Sequence, residues 1–104
     1  LNQDLGFYFR GYTFVTGSNN ACYERMLLLK NTVTERVYGI VTNAEYRQDI
    51  ADNVPDQKNV ELSGFFAKMR PDAVPSGTYR FGMYMKDRTS KLRLYNWSSW
   101  TLEV

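Results

Sequence analysis

Two clusters of residues in this sequence carry groups able to grip a ligand. In the first, Arg47 and Asp49 stand two residues apart, so a planar guanidinium fork and a carboxylate can reach one polar ligand or each other. As an anchor, Arg47 would bond carbonyls or a carboxylate and Asp49 would cap a turn, and this is the reading the residues favour. In the second, Asn96, Trp97, Ser98, Ser99 and Trp100 put indole rings beside small hydrogen-bonding side chains. A ring face can meet the C–H groups of a sugar while amides and hydroxyls bond its hydroxyl groups. Trp100 is assigned to the core, where an indole buries the most area. Trp97 suits a sheet edge and a stacking platform equally.

Much other chemistry is excluded by what is missing. The chain has no histidine and one cysteine, which removes Ser-His-Asp and Cys-His arrangements, His-containing zinc sites and thiolate metal sites. No glycine-rich loop leads into a helix that would cradle a phosphate. A calcium site drawn from Asp49, Asp52 and Asp56 matches no EF-hand spacing and lacks the glycine such a loop needs. A glycosidase needs only two carboxylates, but the acids in this chain sit in turns or beside basic neighbours, as solvated surface charge does. The sequence therefore predicts no catalytic residue, no metal and no cofactor.

The 104 residues leave room for one domain, spanning 1–104. The net charge is +2 without any Lys/Arg block, so nothing marks a nucleic-acid partner. Tyr8, Tyr12, Tyr23, Tyr38 and Tyr84 interleave with Arg10, Arg25, Arg36 and Arg80, the composition of a half-exposed sheet face. No apolar run is long enough to span a bilayer. Cys22 falls in an apolar strand and is expected to behave as a small buried hydrophobe. The chain starts at Leu1 without a methionine, which predicts a piece excised from a larger multidomain protein.

The elements that must position these groups follow from a period of two. Aromatic residues make up 15% of the chain and favour strands. Alternation predicts strands over 7–15, 22–30, 35–42, 60–69, 78–86, 92–95 and 100–104. The stretch 43–59 breaks the pattern; it is read as a long crossover joining two sheets, with a helical turn over 45–52 stopped near Pro55. Gly11, Gly39, Gly64 and Gly82 fall inside strands and would leave bare backbone for large aromatics to cover. Seven short strands with one long crossover predict an all-β fold, an antiparallel immunoglobulin-like β-sandwich.

The motifs also occur in a distinctive order. Phe9-Arg10-Gly11-Tyr12 leads into a strand running from Tyr23 to Leu29. Then come Arg47, Asp49, Ile50 and Ala51, followed by Ser63-Gly64-Phe65 and by Gly77, Tyr79 and Gly82. This order resembles the small β-sandwich modules attached to bacterial cell-envelope polysaccharide enzymes, among them glycosyltransferases, glycerophosphotransferases and membrane acyltransferases. The resemblance runs from Gly6 to Val104. It implies a noncatalytic accessory module at the bacterial cell envelope that contacts glycan or docks its parent catalytic domain. The expected ligand residues are Tyr12, Arg47, Asp49, Asn96 and Trp97. Those relatives often carry tryptophan at the opening, where this chain has Tyr12. The competing expectation is an immunoglobulin-like protein–protein interaction or structural domain, since a fold does not choose a function.

Overall fold

A computed structural model describes residues 6–104. The strands are β1 (Phe7–Tyr12), β2 (Tyr23–Asn31), β3 (Val37–Val41), β4 (Asn43–Glu45), β5 (Gly64–Met69), β6 (Thr78–Asp87) and β7 (Arg93–Glu103), with one short helix, α1 (Gln48–Asn53). All pairings are antiparallel, in a three-stranded sheet of order β1-β5-β4 and a four-stranded sheet of order β3-β2-β6-β7. The protein is an all-β sandwich.

Alternation assigns the faces. On β2 and β6, Leu27, Leu29, Tyr79 and Met85 turn inward and are buried. From the other sheet Phe65, Ala67 and Met69 meet them. Phe9 on β1 reaches Phe81 on β6 edge to face, with ring centroids 5.5 Å apart. This contact ties the two sheets together, and each such large side chain removed from water contributes about 2 kcal/mol. Tyr79 is wholly buried yet keeps its hydroxyl satisfied, donating to the Pro75 carbonyl at 2.6 Å. That bond fixes the 70–77 loop onto the start of β6.

The structure departs from the sequence expectation in three places. The sheet switch occurs at Thr42, between the end of β3 and the start of β4, and not over 43–59. The Thr42 hydroxyl donates to the Arg25 carbonyl at 2.7 Å and holds the switch to β2. The long stretch after β4 instead joins two neighbouring strands of one sheet, β4 and β5, through α1 and a 3-10 turn at Val60–Leu62. Finally, the strands expected over 92–95 and 100–104 are one strand, β7. It carries a bulge: Arg80 pairs with Thr101 and Gly82 with Trp97, so Phe81 alone lies opposite Ser98, Ser99 and Trp100. Three hydrogen bonds close the bulge. Arg80 Nε donates to the Ser98 carbonyl, the Ser98 hydroxyl donates to the Phe81 carbonyl, and the Trp100 amide donates to Ser98 Oγ.

Candidate functional site

Among the described residues both sheets end in an unpaired strand on the same side of the sandwich, β1 in one and β7 in the other, and a cleft of about 440 Å³ lies between them. Phe65, Phe81, Met83 and Leu27 form its apolar floor. Tyr8, Arg10 and Tyr12 stand along the β1 wall, and Asn96, Ser98 and Trp100 along the β7 wall. The bulge is what brings Trp100 to the rim: its indole is 77% exposed, so the expectation of a core residue is corrected. Tyr8 and Tyr12 are more than half exposed as well. Exposed rings beside an amide and a hydroxyl, over an apolar floor, are the materials of a small polar-ligand site. A larger hollow of about 930 Å³ at the far end of β1 is open and bordered by Arg70 and Asp72, which bond each other. It offers no comparable convergence of rings and polar groups.

Arg47 and Asp49 lie just beyond the Tyr12 end of the cleft. Arg47 Nε donates to Asp49 Oδ1 at 2.9 Å and Nη2 to Oδ2 at 2.7 Å, a two-pronged pair. Its guanidinium carbon lies 5.6 Å from the Tyr12 ring centroid, an attractive placement over the ring face. Its backbone amide donates to the Glu61 carbonyl at 2.7 Å. Gly64 makes this possible: a Cβ there would fall 2.4 Å from Arg47 Cγ and from the Glu45 carbonyl oxygen. The hydrogen bonds of Arg47 hold the Asp49 carboxyl below its ordinary range, and Asp49 in turn raises Arg47. Arg10 and Glu45 pair beside them at 2.8 Å. The fork is thus engaged by the chain's own carboxylate, an arrangement suited to anchoring the 46–63 stretch.

The five sequence-predicted residues therefore divide. Tyr12 and Asn96 line the cleft, Arg47 backs the Tyr12 ring with Asp49 held on its fork, and Trp97 is elsewhere. Trp97 alternates with Asn96 and projects from the outer face of the four-stranded sheet, lying over Gly82 with Lys30 Nζ 5.6 Å from its ring centroid. The interleaved tyrosine and arginine set also separates. Tyr23, Tyr38 and Arg25 face inward, Tyr84 and Arg80 face outward on the same sheet, and Tyr8, Arg10 and Tyr12 belong to the other. Cys22 is only half-buried.

Sequence reasoning missed two anchors. Arg25 reaches the carbonyls of Thr13, Asn20, Tyr23 and Leu62 and has no carboxylate partner among the described residues. Burial, helped by the nearby Arg88 charge, lowers its pKa to about 10. Asn20 is wholly buried and satisfied, accepting from the Val15 amide and donating to the carbonyls of Val15, Ser18 and Lys58. Asn20 reads as turn material in sequence, and only the long-range contact with Lys58 distinguishes it.

Among the described residues no group of three or more acidic or cysteine side chains converges to hold a metal ion. Among the described residues no helix is long and apolar enough to cross a membrane. Comparison with known proteins finds no family model, curated protein or solved structure that matches the chain.

Proposed function

We propose that the protein is a noncatalytic accessory module of a bacterial surface-polysaccharide assembly enzyme, working at the cell envelope, and that its glycan contact is the cleft between β1 and β7. One observation carries this reading. The two exposed rings of Tyr12 and Trp100 rise on opposite walls, with Asn96 on the β7 wall beside Trp100 and an apolar floor beneath. Rings offer stacking faces to sugar C–H surfaces, while the amide and hydroxyls bond hydroxyl groups in a partly desolvated setting. The resemblance carried by the order of motifs from Phe9 to Gly82 is what supports the enzyme class.

The architecture is proposed to be immunoglobulin-like. With β1 to β7 in the places of strands B, C, C′, D, E, F and G, the neighbours B-E-D and C′-C-F-G reproduce the pairing of that fold. Tyr79 bonding back to Pro75 at the start of the F-like strand matches its tyrosine corner. Phe9 and Phe81 touch where such domains place the disulfide between strands B and F. No described strand takes the place of strand A along β1, the edge that borders the cleft. An open strand edge also suits a protein partner, the second reading.

The test is titration with neutral oligosaccharides from bacterial envelopes, followed by tryptophan emission. Binding that shifts the emission, disappears in Trp100→Ala and survives in Trp97→Ala is the expected result. Absence of binding at millimolar oligosaccharide, or a response lost only in Trp97→Ala, sinks the cleft as the glycan site.

A further inference from the structure

The outer face of the four-stranded sheet is a separate surface with its own chemistry. Its two central rows are apolar: Leu28 between Gly39 and Gly82, with Trp97 beyond, and Met26 between Val41 and Tyr84, with Tyr95 beyond. The floor is low because side chains lie on bare backbone. Trp97 covers Gly82, and a Cβ on Gly39 would meet Met26 Sδ at 2.5 Å. Leu28 is buried beneath them. Tyr95, Val37 and Val41 remain exposed, so the apolar rows are unpartnered.

Cations bracket these rows. Lys30 and Arg80 are register partners on one side, and Lys86 and Arg93 on the other. The two pairs are six residues apart along β6 (86 − 80 = 6), or roughly 20 Å at the rise of a strand. Among the described residues none of the four forms an ion pair with a carboxylate. Arg80 spends only Nε on the Ser98 carbonyl and stays exposed. Two acids share this face: Glu24, the β2 register partner of Lys86, pairs with Arg88 at 3.7 Å, and Glu103, opposite Thr78, accepts from its hydroxyl.

We infer that this face binds a polyanionic glycan, a chain of carboxylated sugars lying flat across the apolar rows with its charges on the two cation pairs. The inference rests on the reading above only in taking a glycan as the polymer. Charge selects a polyanion. Trp97, the largest ring of this face, offers no free face for a base to stack on. Gly82 takes one face of the Trp97 indole and Lys30 lies over the ring, while Tyr84 and Tyr95 lean on each other at 5.2 Å.

The experiment titrates the protein with polygalacturonate and with its methyl ester, the same polymer without charge. Polygalacturonate is expected to bind, weakening roughly 50-fold between 50 and 200 mM salt, the dependence of about four released counterions. The methyl ester is expected not to bind. Arg93→Gln, at an exposed and unpaired position, and the double variant Lys30→Gln/Arg80→Gln each flatten the salt slope by roughly one unit per cation removed. Trp100→Ala leaves this binding unchanged, so the cleft and the outer face are read separately. Equal binding of the ester, unaltered slopes in both variants, or tighter binding of poly(dT) or phosphatidylglycerol vesicles overturns the inference.

Discussion

The indole of Trp97 rests on the backbone of Gly82 so closely that a Cβ at position 82 would lie 2.4 Å from Cε3 and 2.7 Å from Cζ3. Register puts the two residues directly opposite on β6 and β7. The ring must therefore lift if a side chain is added, and Leu28 loses its cover. Gly82→Ala is expected to cost about 2 kcal/mol through overpacking. In a Trp100→Phe background, where Trp97 reports alone, emission should move to longer wavelength. An unchanged spectrum and urea midpoint would show that the ring does not depend on Gly82.

Tyr79→Phe isolates the hydroxyl that holds the 70–77 loop. The ring stays buried while the Pro75 carbonyl loses its donor, a loss of about 1 kcal/mol. Equilibrium unfolding in urea should show a lower midpoint with an unchanged slope. Amide exchange of the loop should speed up more than that of the β6 centre.

Arg25 concentrates charge-assisted bonds on backbone carbonyls of Thr13 just after β1, of Tyr23 at the start of β2, and of the Asn20–Cys22 and Val60–Leu62 turns. Arg25→Gln keeps a polar group but shortens its reach, and it should cost about 2 kcal/mol as carbonyls go unpaired. Burial sets the sign of its pH dependence. The folded value of about 10 lies below the ordinary arginine range, so its charge weighs against folding below pH 10. That component of stability rises as pH climbs from there. Comparing wild type and Arg25→Gln by chemical denaturation at neutral and strongly alkaline pH checks both statements.

Asp49 gives the opposite pH signature. Arg47 depresses its pKa in the folded protein, so its contribution is present above the ordinary carboxylate range and lost as pH falls through the lower folded value. Wild type should therefore lose stability on acidification more steeply than Asp49→Asn, which has no charge to lose. Parallel curves for the two proteins would mean that the pair contributes nothing to folding.

The sandwich was legible because alternation is a strong signal wherever one face is dry. Phe7 and Phe9 inside with Tyr8 and Arg10 outside, and the run from Met26 to Leu29, place β1 and β2 without ambiguity. What misled the reading was local. Asn43–Glu45 is three residues with two polar side chains, too short to show a period, so β4 was absorbed into a crossover. The Ser98–Trp100 bulge resembles a turn because serine satisfies backbone groups either way, and it splits β7 on paper. It also carries Trp100 outward, which hydrophobicity alone assigns to the core. The boundaries of five strands, β1, β2, β3, β5 and β6, differ by a few residues at their ends, where fraying and pairing decide the limit. Tyr12, Arg47 and Gly64 meet only through the β1–β5–β4 pairing, so their contact had no signature along the chain.

The switch at Thr42 has a consequence for the order in which the molecule is built. The four-stranded sheet contains both local hairpins: Lys30 pairs with Val37 and Lys86 with Arg93, each seven residues apart (37 − 30 and 93 − 86). The three-stranded sheet has no such start, since Tyr12 meets Gly64 across 52 residues (64 − 12) and Phe7 meets Met69 across 62 (69 − 7). Loop-closure entropy therefore favours the two hairpins first, while the β1–β5 pairing and the β2–β6 pairing, whose nearest partners Asn31 and Tyr79 are 48 residues apart (79 − 31), both wait on long closures. During that interval the inner row of Leu27, Leu29 and Phe81 stands uncovered. It is then, before β1 arrives, that the chain is most open to association with its own copies.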